Sequence, residues 1–498
     1  MLLLVLMPAL AQTPAATPAG VPVSIDSPEI PDDALEVCQS CDYVTIGDAV
    51  ADAAEGDTIH VLGGEHDGEV LIDKPVRVIG TDGAVIDGHG EGTVVRIESP
   101  DVLLQGFTIR NTGRSFDKED SGVYVEGERV HVVGNRIVNS LFGVNAATSH
   151  DMVIAGNYIQ GQTSMEVGLR GDGIKVWYSH RTEIYDNHVN QSRDLLVWYS
   201  NEVKVHDNYV ENGRYGFHFM NSDDGYANHN VLIDNSVGIY IMYGKRFAIR
   251  DNLLQGSRGP SGHGLGLKEV DGAMITGNVI YDNRIGVYID NSPLSPNEYD
   301  YFTGNLFAYN DSAVGILPSA RNNHFTENSF VENLEQVTVL GTGPISGGNL
   351  WSVNGVGNFW SDYSGFDADR DGIGDVPFRS EQLSERLMQS HPDLQLYRYS
   401  LAASAVDFGA EAVPLFRADP LLVDDGPLVK PVLPSNAPSA IEDSNERASQ
   451  LWSLGMIFLV ATIVWWGLRA GKLPQEQRDR DVRPHSHPFP TSTARKKA

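Results

Sequence analysis

From about residue 58 the chain alternates apolar and polar positions in short bursts: TIHVL, VLIDK, VRVIG, AVIDG, VVRIE and VLLQGFTIR. Period-two alternation predicts strands with one buried face. Two markers punctuate it. Asn recurs at 135, 157, 187, 208, 230, 252, 278, 305 and 328, and all but Asn230 and Asn328 stand in a Gly/Asp-Asn-x-apolar setting such as GNRIV, DNYVE or GNVIY. Out of phase with it, Gly122, Gly143, Gly173, Asp194, Gly216, Gly238, Gly264 and Gly286 each open a strand. A repeat of about 20–30 residues made of strands is a solenoid, whose coils bury their apolar faces against one another. Asn and Gly tolerate the left-handed backbone of a sharp corner, and stacked Asn side chains can hydrogen-bond from coil to coil. Long helical stretches and leucine-rich spacing are missing from the repeat. The fold class is therefore all-β, a parallel β-helix.

Alternation also assigns faces. The first and third residues after the Gly marker are Ile174/Val176, Leu195/Val197, Phe217/Phe219, Ile239/Ile241, Leu265/Leu267 and Val287/Ile289, which predicts a coil core. The second and fourth must point out: Lys175/Trp177, Leu196/Trp198, His218/Met220, Tyr240/Met242, Gly266/Lys268 and Tyr288/Asp290. Coils stack at about 4.8 Å, so these form vertical columns on one flat face. Trp177, Trp198, Met220 and Met242 follow one another in a single column, with Tyr178, Tyr199, Tyr240 and Tyr243 beside them. An exposed apolar column of this kind marks a partner surface or is covered by another part of the chain. His218, Met220 and Met242 also form a donor set suited to monovalent copper. Docking or covering is favoured over direct metal binding.

Outside the coils, YVTIGDAVADAAEGDTIHV predicts a short N-terminal helix that caps the first coil, with Thr45 as N-cap and Gly56 as its stop. The start, MLLLVLMPALAQTP, reads as a short or truncated signal peptide. Residues 451–468 carry no charge and end in Trp465 and Trp466, followed by a basic tail. This predicts one transmembrane helix with the body outside the cell and the tail in the cytoplasm. The organisation is then 1–11 signal peptide, 12–42 linker, 43–340 β-helix, 341–432 irregular C-terminal region, 433–450 linker, 451–470 membrane span and 471–498 tail. Within the irregular region a helix is expected over 383–416.

Charge narrows the partners. The chain totals −30, and the segment from Arg469 onward holds eight Lys/Arg against three Asp/Glu, so the body before it sits near −35. Such a body repels nucleic acid and acidic glycans and suits cations or basic partners. The two cysteines, Cys38 and Cys41, leave two readings open, a disulfide or a pair of thiolate ligands for a metal such as copper. Asp367, Asp369, Asp371 and Asp375, with Gly372, match the first part of a Ca²⁺ loop. Phe378 replaces the Glu of an EF-hand, leaving a weaker Ca²⁺ loop, which is favoured, or an acidic turn. Outward Asp186, Asp207 and Asp251 stack near one corner but read as turn residues. The chain lacks Gly-x-Ser-x-Gly, P-loop and His-Glu-x-x-His motifs, and no catalytic residue is assigned.

The block GDGIKVWYSHRTEIYDN through DLLVWYSNEVKVHDN, GRYGFHFMNSDDG, SVGIYIMYGKRFAIRDN and GLGLKEVDGAMITGN resembles NosD, the extracytoplasmic maturation factor of nitrous oxide reductase. GNFWSDYSGFDADRDGIGDVPF and AVPLFRADPLLVDDGPLVKP extend the likeness, which covers about residues 43–432 in order. It implies a right-handed β-helix of the carbohydrate-binding and sugar-hydrolase type. It also implies a non-enzymatic role in building the reductase's copper–sulfur cluster with an ABC-type ATPase and permease, with copper arriving from a chaperone. A membrane anchor departs from the family, whose members are commonly soluble. The alternative is a cell-surface β-helix that binds or cleaves polysaccharide, for which the aromatic column would stack on sugar rings.

Overall fold

Three parallel sheets of 13, 12 and 13 strands run along the molecule. Through most of each sheet, paired strands lie three apart in sequence, so every turn of the chain lays one strand on each. This computed structural model describes residues 30–81, 83–341, 348–380, 383–398, 400–412 and 420–438. No helix among them is long and apolar enough to cross a membrane. The membrane span expected at 451–470, the signal peptide and the basic tail lie outside the described residues.

The core follows the alternation. All twelve residues assigned inward between Ile174 and Ile289 are fully buried. Glycine opens these strands because the corner leaves no room for a side chain: a Cβ on Gly216 would lie 2.4 Å from Leu232 Cδ2.

Hydrogen-bonded ladders hold the corners. Each Asn from 135 to 305 donates its backbone N–H to the side-chain oxygen of the Asn one coil on, and Asn328 continues the ladder to Asn358. Each also donates its amide to a carbonyl of the preceding coil, as Asn208 does to Ile184 at 2.9 Å. These residues are buried, so the ladder satisfies backbone groups that water cannot reach. A second ladder links Asn283, Asn310 and Asn333, and a third links Ser149, Ser179, Ser200 and Ser222. Asp186, Asp207, His229 and Asp251 have φ of 52, 55, 52 and 51°, the left-handed corner conformation. The column they form serves the turn.

Both ends are closed. The helix Ile46–Asp52 buries Ile46, Ala49 and Val50, and Thr45 Oγ1 accepts the Asp48 N–H at 3.1 Å as its N-cap. The helix stops earlier than Gly56, at an extended Ala53; Gly56 lies in the turn beyond. At the other end Asp424 finishes the Asn ladder. Its Oδ2 accepts from the Asn358 N–H and from Trp360 Nε1, both at 2.8 Å. Trp360 stacks between Phe330 at 4.2 Å and Phe378 at 4.4 Å, sealing the last coil with aromatic rings. The helix expected over 383–416 is broken: Leu383–Ser390 and Leu401–Ala412 flank a 3₁₀ turn at Pro392–Tyr397. Pro392 has no N–H to continue the first helix.

Candidate functional site

The outer face of the 12-stranded sheet carries the chain's unusual chemistry. Register places Ala147, Trp177, Trp198, Met220, Met242, Lys268 and Asp290 in one column. The column beside it runs Asn145, Lys175, Leu196, His218, Tyr240, Gly266 and Tyr288. Trp177 is 37% exposed, whereas Trp198, Met220, Met242 and Tyr240 are half-buried. Tyr178, Tyr199 and Tyr243 occupy the adjoining corner with φ of 46, 52 and 57° and are exposed. Tyr178 stacks on Tyr199 at 4.9 Å and meets Trp177 edge-on at 4.8 Å. At the low-numbered end, Glu119 reaches over the face and pairs with Lys175 and Asn145.

His218 departs from the expected exposure. It sits on the outer face yet is 5% exposed, because the Trp198 and Tyr215 rings pack perpendicular to it with centroids 5.5 and 4.9 Å away and Tyr240 lies beyond at 6.5 Å. Leu196 is likewise covered. The Tyr240 ring fits there because position 266 is Gly: a Cβ on Gly266 would be 2.2 Å from the ring. Farther along, His263 stacks on Tyr288 at 4.4 Å. Burial, with Arg284 adding to it, pushes the His263 imidazole down to about 4, so it is neutral at pH 7.

Alternation alone did not reveal the acids and bases at the edge of this face. Arg193 clamps Asp172 through Nε at 2.8 Å and Nη2 at 2.9 Å. Arg214 clamps Asp194 in the same way and lies over the Tyr215 ring at 4.5 Å. Burial pushes Asp172 up to about 6. Burial also acts to raise Asp194, but hydrogen bonds from His218 and Arg214 outweigh it and hold the carboxyl below its ordinary value. The one sequence signal of this cluster was Asp194 standing at a Gly marker.

The other candidates lie elsewhere. Cys38 and Cys41, beside the first strand, form a disulfide, with S–S 2.13 Å and Cα–Cα 5.0 Å. Their sulfurs are bonded to each other, so in this state the pair offers copper no thiolate, which corrects the ligand reading. In the Asp-rich loop, Asp367, Asp369 and Asp371 bring carboxylate oxygens within 4.8 Å of one another. Asp375 turns to accept the Ala368 N–H at 2.7 Å, so three of the four expected oxygens converge.

A model of the family described as "Periplasmic copper-binding protein (NosD)" matches residues 159–365, the stretch that holds the whole Trp/Met column. A Stutzerimonas stutzeri protein named "Probable ABC transporter binding protein NosD" is 29% identical over 380 residues, covering 74% of this chain and 85% of its own. A Pseudomonas aeruginosa protein of the same name is 34% identical over 73 residues, 14% of this chain and 67% of its own. The chain belongs to the NosD family. Its relatives carry the name of binding proteins, and the NosD family is described as periplasmic. Among solved structures, a mannuronan C-5 epimerase A-module of Azotobacter vinelandii aligns with 61% of this NosD chain and 92% of its own, at 14% identity and a TM-score of 0.48.

Proposed function

We propose that this chain is an extracytoplasmic accessory factor for nitrous oxide reductase. It supports assembly of the enzyme's copper–sulfur cluster together with an ABC-type ATPase and permease, and receives copper from a chaperone. The observation that carries the reading is the column Trp177, Trp198, Met220 and Met242, half-exposed within the very segment that matches the NosD family. Large aromatic and thioether side chains in register on a flat face are the anchors a protein partner buries. The uncharged stretch 451–468 with its basic tail supports a membrane anchor, which would keep the body beside a membrane-embedded permease. A strain lacking the chain is expected to accumulate reductase without its catalytic cluster, restored by the intact gene. Reductase with a full cluster in that strain would refute the role.

The three converging carboxylates of the Asp-rich loop support a structural Ca²⁺ site. Four acidic groups within nine residues repel one another unless a cation or water separates them. Asp369→Asn combined with Asp371→Asn is expected to lower the melting temperature when Ca²⁺ is present and leave it unchanged in chelator. Equal destabilisation under both conditions would make the loop an acidic turn.

A further inference from the structure

One corner of the solenoid carries an acid where its other ladders carry asparagine. The strands Met274–Thr276, Asp300–Thr303 and Asn323–Thr326 stack in register on successive coils, with Asp300 opposite Asn323. Both residues are fully buried. Asp300 Oδ1 accepts the Ala273 N–H of the preceding coil at 2.8 Å. Asn323 passes the ladder on, its N–H and Nδ2 donating to Asn349 Oδ1 at 3.2 and 3.0 Å. The rung between Asp300 and Asn323 is incomplete. The Asp300 N–H goes instead to the Asn322 carbonyl at 3.2 Å. Asp300 Oδ2 and Asn323 Oδ1 are both buried with no hydrogen-bond partner among the described residues.

Turning the Asn323 amide over does not cure this. Its Nδ2 donates to the Ser292 and Arg321 carbonyls at 2.9 and 3.2 Å as well as to Asn349, which fixes its oxygen as an acceptor. In the main ladder the amide Nδ2 of one coil donates to the Asn oxygen of the next, as Asn187, Asn208 and Asn230 do. At Asp300 a carboxyl oxygen stands in for that nitrogen. An ionised carboxylate can only accept, whereas a neutral carboxyl has one O–H to give. A single proton therefore satisfies two buried atoms at once.

The surroundings favour that proton. Burial pushes Asp300 up to about 8, outweighing the Ala273 and Gly272 N–H groups that favour the charged form. Asp271 and Glu298 add negative charge that opposes ionisation further. The cations nearby are committed elsewhere: Lys245 lies 3.9 Å from Asp271, and Arg246 pairs with Asp224. The adjoining coil brings Arg321 and His324, whose imidazole burial holds below its ordinary value.

We propose that Asp300 is a proton-binding site, held as the neutral acid with its Oδ2–H donated to Asn323 Oδ1, and that release of this proton breaks the ladder there. The coil beyond the rung carries Phe325, on which Trp351 stacks at 4.4 Å. The C-terminal seal is thus tight in acidic and neutral surroundings and loosens in alkali.

The test is denaturant unfolding of the full-length chain and of Asp300→Asn across pH. An unfolded Asp titrates near about 3.9. Between about pH 4 and 8 unfolding therefore releases the proton that the folded chain holds, so stability falls as pH rises and levels off once the folded group has itself ionised. The unfolding constant of the wild type relative to Asp300→Asn is expected to grow about tenfold per pH unit between about pH 5 and 7 and to flatten above about pH 8. Asn at this position supplies the missing N–H, so the variant should be the more stable protein at about pH 8. The same pH dependence in both proteins would overturn the site. Infrared spectra of the unsubstituted chain labelled with ¹³C-carboxyl aspartate give a second measurement that needs no variant to fold. A label-sensitive band of a protonated carboxyl should persist at about pH 7.5, where Asp172 has ionised, and vanish above about pH 9. Its absence at about pH 7.5 would overturn the proposal whatever the variant does.

Discussion

Trp198→Ala is expected to weaken binding of cluster-free reductase by about 30-fold or more while the solenoid stays folded. Trp198 stands in the middle of the aromatic–thioether column, in register with Trp177 on one side and Met220 on the other. Most of its surface is already sheltered, and its indole N–H is buried with no partner among the described residues. A partner would therefore cover a preorganised ring with little ordering cost, the situation in which a truncated anchor costs about 2 kcal/mol or more. The fold should survive because the side chain contributes nothing to the coil core, which Leu195 and Val197 fill from the same strand. Met220→Leu with Met242→Leu keeps volume and apolarity, so partner binding should remain within about threefold of wild type. Calorimetric titration of the three proteins against reductase purified without its cluster measures both effects. Equal affinity for Trp198→Ala and wild type would remove this face as the docking surface.

Asn208→Ala is expected to cost about 3–5 kcal/mol, far more than any change on the outer surface of the same coil. Asn208 is buried and occupies the centre of the ladder. Its side-chain oxygen accepts the Asn187 N–H at 3.0 Å, and its amide donates to the carbonyls of Ile184 and His206 at 2.9 Å. Alanine would strand these backbone groups where water cannot reach, at about 1–3 kcal/mol for each left unsatisfied. Because a coil touches only its neighbours, the loss would act as a break in the middle of the stack. Lys204→Ala, on an exposed strand position of the same coil, should stay within about 0.5 kcal/mol. Chemical denaturation of both variants decides the matter. A similar shift in the two would mean that the ladder is dispensable.

How much of this could be read beforehand follows the range of the interactions. The coil core, the Asn ladder and the two outer columns were legible because each depends on residues recurring at the same phase, and Thr45 was legible as a local cap. The burial of His218 was not, since alternation gives the direction of a side chain and says nothing of what its lateral neighbours cover. Tyr215 and Trp198 close over it from two different strands. Asp194 could be seen as an exception at a Gly marker, but the bulge beneath it depends on the next coil. The C-terminal cap was hidden for a related reason: Asp424 reaches Asn358 across 66 residues, with no periodicity to announce the contact. The Cys-x-x-Cys spacing allowed both a bridge and a ligand pair, and geometry chose the bridge.

The Asn ladder makes the solenoid a ruler. Every rung repeats the last, from Asn135 to the closing bond at Asp424, so whole coils are interchangeable spacers while fractions of a coil are forbidden by the rung geometry. The distance between the aromatic face and the aromatic seal at Trp360 is therefore quantised in steps of about 4.8 Å. Lengthening or shortening this protein in evolution would move its working surface relative to that end by whole rungs, keeping every side chain's orientation. Reach and orientation are thus independently adjustable.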